Sequence, residues 1–376
     1  MPESAAALRA RLTEIFQHPV DVPMRDDAFD ISARHTFEYQ FEHNAPYAAY
    51  CVRRGITPAH IAHWAEIPTV PTAAFKEVSL VAGDAQSAAL VFRTSGTTLG
   101  TQRRGEHRVR DATVYEEALL PLFSAYVLPD AARLAFVSLI PSAEQAPDSS
   151  LSYMVTQAAT HCAGSNAGSF MDVRTGLDEA GLERTLAALI DGQTPVLLLG
   201  TSWAFVHWLD SLRARRQRFA LPDGSRVMDT GGYKGRSRSV PEAELRKAYE
   251  DCLNVPGHAC INEYGMTELC SQFYDASWRE HVLGRAAPTR RTKRSAPWVR
   301  TRAVHPETLQ PVAEGEVGIL QHFDLANLFS VLAVQTEDLG RVGPEGIELL
   351  GRATGAVPRG CSIALDLLLD AVAGRA

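Results

Sequence analysis

Thr194–Asp210 reads TPVLLLGTSWAFVHWLD, and its first half decides the fold class. TPVLLLGT is an unbroken apolar run too short to make a helix of its own, so it reads as a strand buried on both faces. Working outward, GLERTLAALIDG (181–192) before it has the spacing of an amphipathic helix. Further upstream RLAFVSLI (133–140) is a second buried strand, and SSLSYMVTQAATHC (149–162) is a helix capped by Ser149 or Ser150. DATVYEEALLPLFSAYVL (111–128) is another helix, and AALVF (88–92) another strand. Downstream, RVMDTGGYKG (226–235) is a strand ending in a glycine turn, and VPEAELRKAYEDCL (240–253) is a helix with Pro241 in its first turn. Strands alternating with helices define an α/β protein with a parallel or mixed sheet covered on both faces. Residues 1–80 are instead mainly helical, broken by proline-bearing turns.

The chain has 376 residues, beyond the size at which one hydrophobic core stops growing, which favours one large and one smaller unit. With 45% hydrophobic and 22% charged residues it is an ordinary globular sequence. A net charge of −7 argues against a general nucleic-acid or anionic-membrane surface. No apolar run reaches the roughly 18–20 residues that span a bilayer. The N-terminus, MPESAAALRARLTEIF, lacks the basic start and apolar stretch of a signal peptide, so the expectation is a cytoplasmic protein. The six cysteines contain no CxxC pair and are expected to be reduced thiols. His258, Cys260 and Cys270 are near one another in sequence, but the paired short spacings of a zinc site are missing. The basic stretch GRAAPTRRTKRSAPWVRTR (284–302) is expected to be an exposed loop or solvated strand edge, with docking as the alternative.

Four stretches can carry chemistry. In RTSGTTLGTQRR (93–104), Thr94, Ser95, Gly96, Thr97 and Thr98 offer backbone amides and hydroxyls to phosphate oxygens, with Arg103 and Arg104 as cations. It is not the GxxxxGK[ST] loop. In DTGGYKGR (229–236), Gly231 and Gly232 permit flat approach by a ring such as adenine at a strand end. NEYGMTELCSQFYD (262–275) supplies a stacking ring in Tyr264, a turn at Gly265, a hydroxyl in Thr267, and in Glu268 a carboxylate suited to Mg²⁺. Read blandly, it is a surface strand-turn with a solvated glutamate. VQTEDLGRV (334–342) puts Asp338 near a strand end, where it can accept two ribose hydroxyls. Thr201, Trp203 and Phe205 offer an apolar wall for an acid, or else simply core.

The order TSGTT, TGGYKG, YGMTE, TEDLGR resembles the adenylate-forming ligase superfamily. More closely, the chain is similar to the LuxE-like acyl-protein synthetases, the ligase component of the fatty-acid reductase of bacterial luminescence. QFEHNAPYAAYC (40–51), IPTVPTAAFKE (67–77), SLIPSAEQAPDSSLSYMV (138–155) and LLGTSWAFVHWLD (198–210) extend the likeness over nearly the whole chain. The resemblance implies a large adenylating domain of mixed sheets flanked by helices, residues 1–350, followed by a strongly truncated C-terminal piece, residues 351–376. It implies that ATP and Mg²⁺ activate a carboxylic, here fatty, acid to an acyl-adenylate. It further implies that Cys361, in the terminal signature GRATGAVPRGC (351–361), takes the acyl group as a thioester and passes it to a reductase partner. Catalytic roles fall to Cys361, Lys234 and Thr267. Nucleotide contacts fall to the Thr94–Thr98 run with Arg103, to Gly231, Gly232, Tyr264, Gly265, Asp338 and Arg352, and the metal to Glu268.

The sequence departs from the superfamily at three points. Glu337 stands where the Thr-Gly-Asp motif has its glycine, Leu99 separates TSGTT from its next glycine, and no lysine follows Lys293. The C-terminal catalytic lysine of full-length ligases therefore has no counterpart: either Lys234 or an arginine of the first loop is expected to stabilise pyrophosphate, or the chemistry is slower. Arg359 can lower the thiol pKa of Cys361, and Gly355 and Gly360 can give hinge freedom to a mobile tail. Two rivals stand beside this reading: a ligase that acylates coenzyme A, and a catalytically weak scaffold for a reductase.

Overall fold

The computed structural model describes residues 3–94, 103–231, 240–286, 288, 290–353 and 359–374, with only the backbone of Arg359 and Cys361. The chain divides into two compact units. One comprises Met1–Pro121, Met266–Gln272 and Arg294–Ala376; the other comprises Leu122–Gly265 and Phe273–Lys293.

The second unit is the α/β body announced by TPVLLLGT. Its sheet runs Ser165–Ser169, Ala135–Leu139, Val196–Thr201, Arg226–Thr230, Cys260–Tyr264, all parallel, with Phe273–Asp275 antiparallel at the far side. Val196–Leu199 are fully buried, as an apolar strand between helical layers must be. Helices Ser150–Cys162, Glu179–Asp191, Ser202–Arg215 and Glu242–Leu253 alternate with these strands. Ser149, not Ser150, caps the first of them by accepting from the Ser152 amide at 3.1 Å. Pro241 stands just before its helix and not inside the first turn. Gly200 is required by packing: a Cβ there would lie 2.5 Å from the Phe205 ring. Phe205 has no exposed surface and meets Tyr249 edge-on at 5.2 Å, a burial worth about 1.5–3 kcal/mol.

The first unit begins with helices Ala5–Phe16, Asp26–His43 and Ala45–Arg53, as the N-terminal pattern predicts. Its sheet is an antiparallel meander of Val299–Val304, Val317–Asp324, Ala333–Gly343 and Gly346–Arg352, with Val70–Pro71 pairing parallel to the third strand. Leu90–Arg93 joins no parallel sheet: it forms a two-stranded hairpin with Glu106–Val109. The C-terminal helix Arg359–Val372 buries Ala364 and Leu368 and packs on helix Ala45–Arg53 and strand Val70–Pro71. Gly360, read as a hinge, lies inside that helix at a close approach. Its amide donates to the Pro306 carbonyl at 3.2 Å, and a Cβ would sit 2.7 Å from Leu309. Gly355 lies outside the described residues.

The basic stretch 284–302 is solvated only at its start: Gly284, Arg285, Ala286 and Arg290 are exposed, whereas its second half turns inward. Lys293 and Trp298 are buried at 5% and 0% exposure. Lys293 Nζ donates to the Asn262 carbonyl at 3.0 Å, and Arg291 reaches both oxygens of buried Asp275 at 2.9 Å. Buried carboxylates require such cations, and their partners are too far away in sequence for composition to reveal. No helix among the described residues is long and apolar enough to cross a membrane.

Candidate active site

In the second unit three neighbouring parallel strands end level with one another. Thr201 pairs in register with Thr230, and Thr230 with Glu263. Gly231 and Tyr264 follow directly, so Thr201, Gly231 and Tyr264 share the carboxyl edge where open α/β sheets bind ligands. Thr201 has a local task as well, capping helix Ser202–Arg215 through the Ala204 amide at 3.2 Å. Gly231 adopts φ +74°, which favours glycine, and its carbonyl accepts from Ser202 Oγ at 3.0 Å. The Tyr264 ring is half-buried beside Phe273 at 5.4 Å, and Gly265 is exposed. Trp203 is half-buried near His207, whereas Phe205 fills the core; within this unit the two aromatics do not form one wall. Gly232 and Lys234 lie outside the described residues.

Beneath that edge is a buried polar layer. Thr230 donates its hydroxyl to Glu263, whose carboxyl is pushed up to about 7 by burial, opposed by the Thr230 bond and Lys293. Asp229 accepts from Tyr249 Oη at 2.8 Å and from the Asn262 side chain, and burial raises its pKa too. Burial lowers the pKa of Lys293, with Asp275 the leading opposing influence.

In the first unit the hairpin Leu90–Arg93/Glu106–Val109 holds the neck of the Ser/Thr/Gly loop. The Thr94 and Gly105 backbones bond at 2.9 Å, and Thr94 Oγ1 accepts from the Gly105 amide at 2.9 Å. Arg104 is spent on structure, donating to the Thr94 carbonyl at 2.6 Å and the Arg93 carbonyl at 3.0 Å. Arg103 is exposed and pairs with Glu77 at 3.4 Å. Lys76, which the sequence did not single out, lies at this neck: a Cβ on Gly105 would be 3.4 Å from its Cγ. Ser95, Gly96, Thr97 and Thr98 lie outside the described residues.

Met266–Gln272, in the same unit, is not the solvated turn of the bland reading. Glu268 is 7% exposed and Cys270, Ser271 and Gln272 are buried. Asp324 accepts from the amides of Ser271 and Cys270 at 2.9 and 3.1 Å and from Ser271 Oγ at 2.8 Å. Burial raises the Asp324 carboxyl to about 6, with those donors opposing. Asn327 donates to the Glu268 carbonyl at 2.9 Å and accepts from the Cys270 amide at 2.8 Å. His107 Nδ1 donates to the Thr267 carbonyl at 2.7 Å. Glu268 has the donor chemistry that Mg²⁺ takes, since that ion binds one or two carboxylates and completes its shell with phosphate and water. Among the described residues no three His, Cys, Asp or Glu side chains gather as a metal cluster, and His258 is instead stacked on His281 and Trp278.

Asp338 sits in the middle of strand Ala333–Gly343, not near its end. It pairs in register with Arg352, and their side chains approach to 3.4 Å; Arg352 also reaches Glu337 at 3.9 Å. Arg352 is 67% exposed, so this pair contributes little stability and leaves the guanidinium open to a ligand. Cys361 lies by its backbone in the first turn of helix Arg359–Val372.

The architecture defines a class. The chain has the fold of the adenylate-forming ligases. It matches 2-hydroxyisobutyryl-CoA ligase, solved in an open conformation with 2-HIB-AMP and CoA, at TM-score 0.62, with 14% identity, 86% of this chain covered and 74% of that one. The postadenylation state of that enzyme matches at TM-score 0.59 with 13% identity, covering 90% and 68%. The chain belongs to the LuxE family of acyl-protein synthetases, whose sequence model matches residues 24–369. A long-chain-fatty-acid–luciferin-component ligase of Aliivibrio fischeri is 23% identical over 357 residues, covering 89% of this chain and 87% of the relative. Its Vibrio harveyi namesake is 22% identical over 364 residues, covering 88% and 85%. The chain is accordingly an AMP-forming acid–thiol ligase.

Proposed function

We propose that this chain activates a fatty acid with Mg-ATP, loads it on Cys361 as a thioester, and delivers it to an acyl reductase. An acid oxygen attacks the α-phosphorus, the bond to pyrophosphate breaks, and an acyl-adenylate forms. The Cys361 thiolate then attacks the acyl carbon and AMP leaves with the bonding pair. Residues 1–350 act as the adenylating body and 351–376 carry the acceptor. The observation that carries this reading is the family match extending to residue 369, past Cys361, in relatives named for fatty acids.

Within this reading the Thr94–Thr98 run and Arg103 hold phosphates, Lys234 or Arg103 offsets charge on pyrophosphate, and Thr267 supplies a hydroxyl there. Gly231, Gly232, Tyr264 and Gly265 frame adenine, Asp338 and Arg352 take the ribose end, and Glu268 holds Mg²⁺. Thr201 and Trp203 border the acid, and Phe205 backs them from the core. Three of the other thiols are poor acceptors: burial pushes Cys51 up to about 12 and raises Cys260 and Cys270 as well, leaving almost no thiolate on them at neutral pH. The partner reductase is supported by the luminescence setting of the named relatives.

The test is intact mass after incubation with ATP, Mg²⁺ and a panel of acids. One acyl adduct is expected, lost in Cys361→Ser while acid-dependent ATP–pyrophosphate exchange persists. An adduct that survives Cys361→Ser refutes the acceptor; no exchange with any acid refutes adenylation. Acyl transfer to added coenzyme A that is unaffected by Cys361→Ser would favour the ligase rival.

A further inference from the structure

His107 is a buried histidine outside the motifs that carry the proposed chemistry. It stands on Glu106–Val109, the strand that brings the chain back from the Ser/Thr/Gly loop, in register with Phe92. It is 1% exposed, and its ring meets Phe75 edge-on at 5.8 Å. Its Nδ1 is 2.7 Å from the Thr267 carbonyl, across 160 residues of sequence. A carbonyl only accepts, so the proton is on Nδ1. Burial lowers the ring pKa to about 4, which keeps it neutral.

Among the other anchors of Met266–Gln272, Asp324 and Asn327 come from the meander strand Val317–Asp324 and the turn after it, and Trp298 Nε1 donates to Ser271 Oγ at 2.9 Å. The His107 anchor comes from the loop hairpin itself. The strand that leaves the Thr94–Gly105 neck is thereby tied to the segment bearing Thr267 and Glu268. We propose that His107 is a positioning residue that locks strand Glu106–Val109 and segment Met266–Gln272 into one rigid piece, so that Thr94 at the hairpin neck and Thr267 meet the nucleotide with a fixed spacing. This rests on the adenylation reading above. Misplacement of a reacting group by a fraction of an ångström lowers the rate of the chemical step more than it weakens binding.

The experiment uses the full chain with His107→Ala, His107→Asn and His107→Gln. The amide nitrogen of Asn falls close to the imidazole Nδ1 position, that of Gln close to Nε2. In acid-dependent ATP–pyrophosphate exchange, His107→Ala should lower kcat about tenfold, the effect of one lost buried hydrogen bond, with KM for the acid unchanged. His107→Asn should restore most of that loss and His107→Gln little of it. Hydrogen–deuterium exchange of peptide 266–272 should quicken in His107→Ala and return towards wild type in His107→Asn. Unchanged kcat in His107→Ala, or an Asn variant indistinguishable from Ala in both readouts, overturns the proposal. Absence of exchange activity in the wild type would instead sink the adenylation reading, and deuterium uptake would still judge the lock.

Discussion

Glu263 shows how much a single side chain can hide. Its neighbours Tyr264 and Gly265 are readable as site residues because rings and glycines have recognisable uses, whereas a glutamate inside NEYG looks merely polar. The structure buries it at 3% exposure against Thr230, and its pKa rises from 4.5 to about 7. The folded state therefore holds this proton more tightly than the unfolded chain does. Its contribution is fully present below about pH 4.5 and is lost as pH rises through 7, a swing of roughly 3 kcal/mol. Glu263→Gln removes the titration, so urea midpoints of wild type and variant should diverge in the variant's favour between pH 5 and 8. Parallel pH curves would contradict the assignment. Thr201, Gly231, Tyr264 and Asp338 stand out in the sequence because their residue types can serve as pocket wall, turn, ring and acceptor. His107, Asp324 and Asn327 do not stand out in that way, since each acts on backbone tens to hundreds of residues away.

At the level of elements, apolar runs proved the dependable signal. VLLLGT, AFVSL and RVMDT are adjacent parallel strands, and their helices follow the predicted periodicity. Pairing partners are the part that local pattern cannot supply. Leu90–Arg93 has a strand's composition, yet it folds back on Glu106–Val109, and no residue in AALVF reveals that. The terminal helix Arg359–Val372 gives the sharpest case, because Gly360 reads as freedom and is in fact contact. Gly360→Ala forces a methyl against the Leu309 side chain and the Pro306 carbonyl, and that backbone oxygen cannot turn aside as a side chain can. An overpacking cost of about 1–3 kcal/mol is expected, together with slower acyl loading of Cys361 while pyrophosphate exchange stays near wild type. Wild-type loading and stability would show that the helix start accommodates the methyl without loss.

For the molecule as a whole, buried groups of opposite sign titrate in overlapping ranges. His107 and His322 are lowered to about 4 and about 3 by burial, so acidification below 6.5 costs stability. Glu263 and Asp324, raised to about 7 and about 6, oppose this by losing stability as pH rises. These four offset one another across mildly acidic pH, and a sequence alone cannot announce that balance because it depends on which ionisable groups lose their water. The burial of Lys293 has a different consequence. An ammonium shut inside the protein is unavailable to formaldehyde or an anhydride until its surroundings part. Its methylation rate should track unfolding and rise with urea, whereas exposed Lys247 reacts at once in the native state. Equal labelling of both amines without denaturant would mean that this cation is reached by solvent after all. The chain thus contains its own chemical clock for how often the folded body opens.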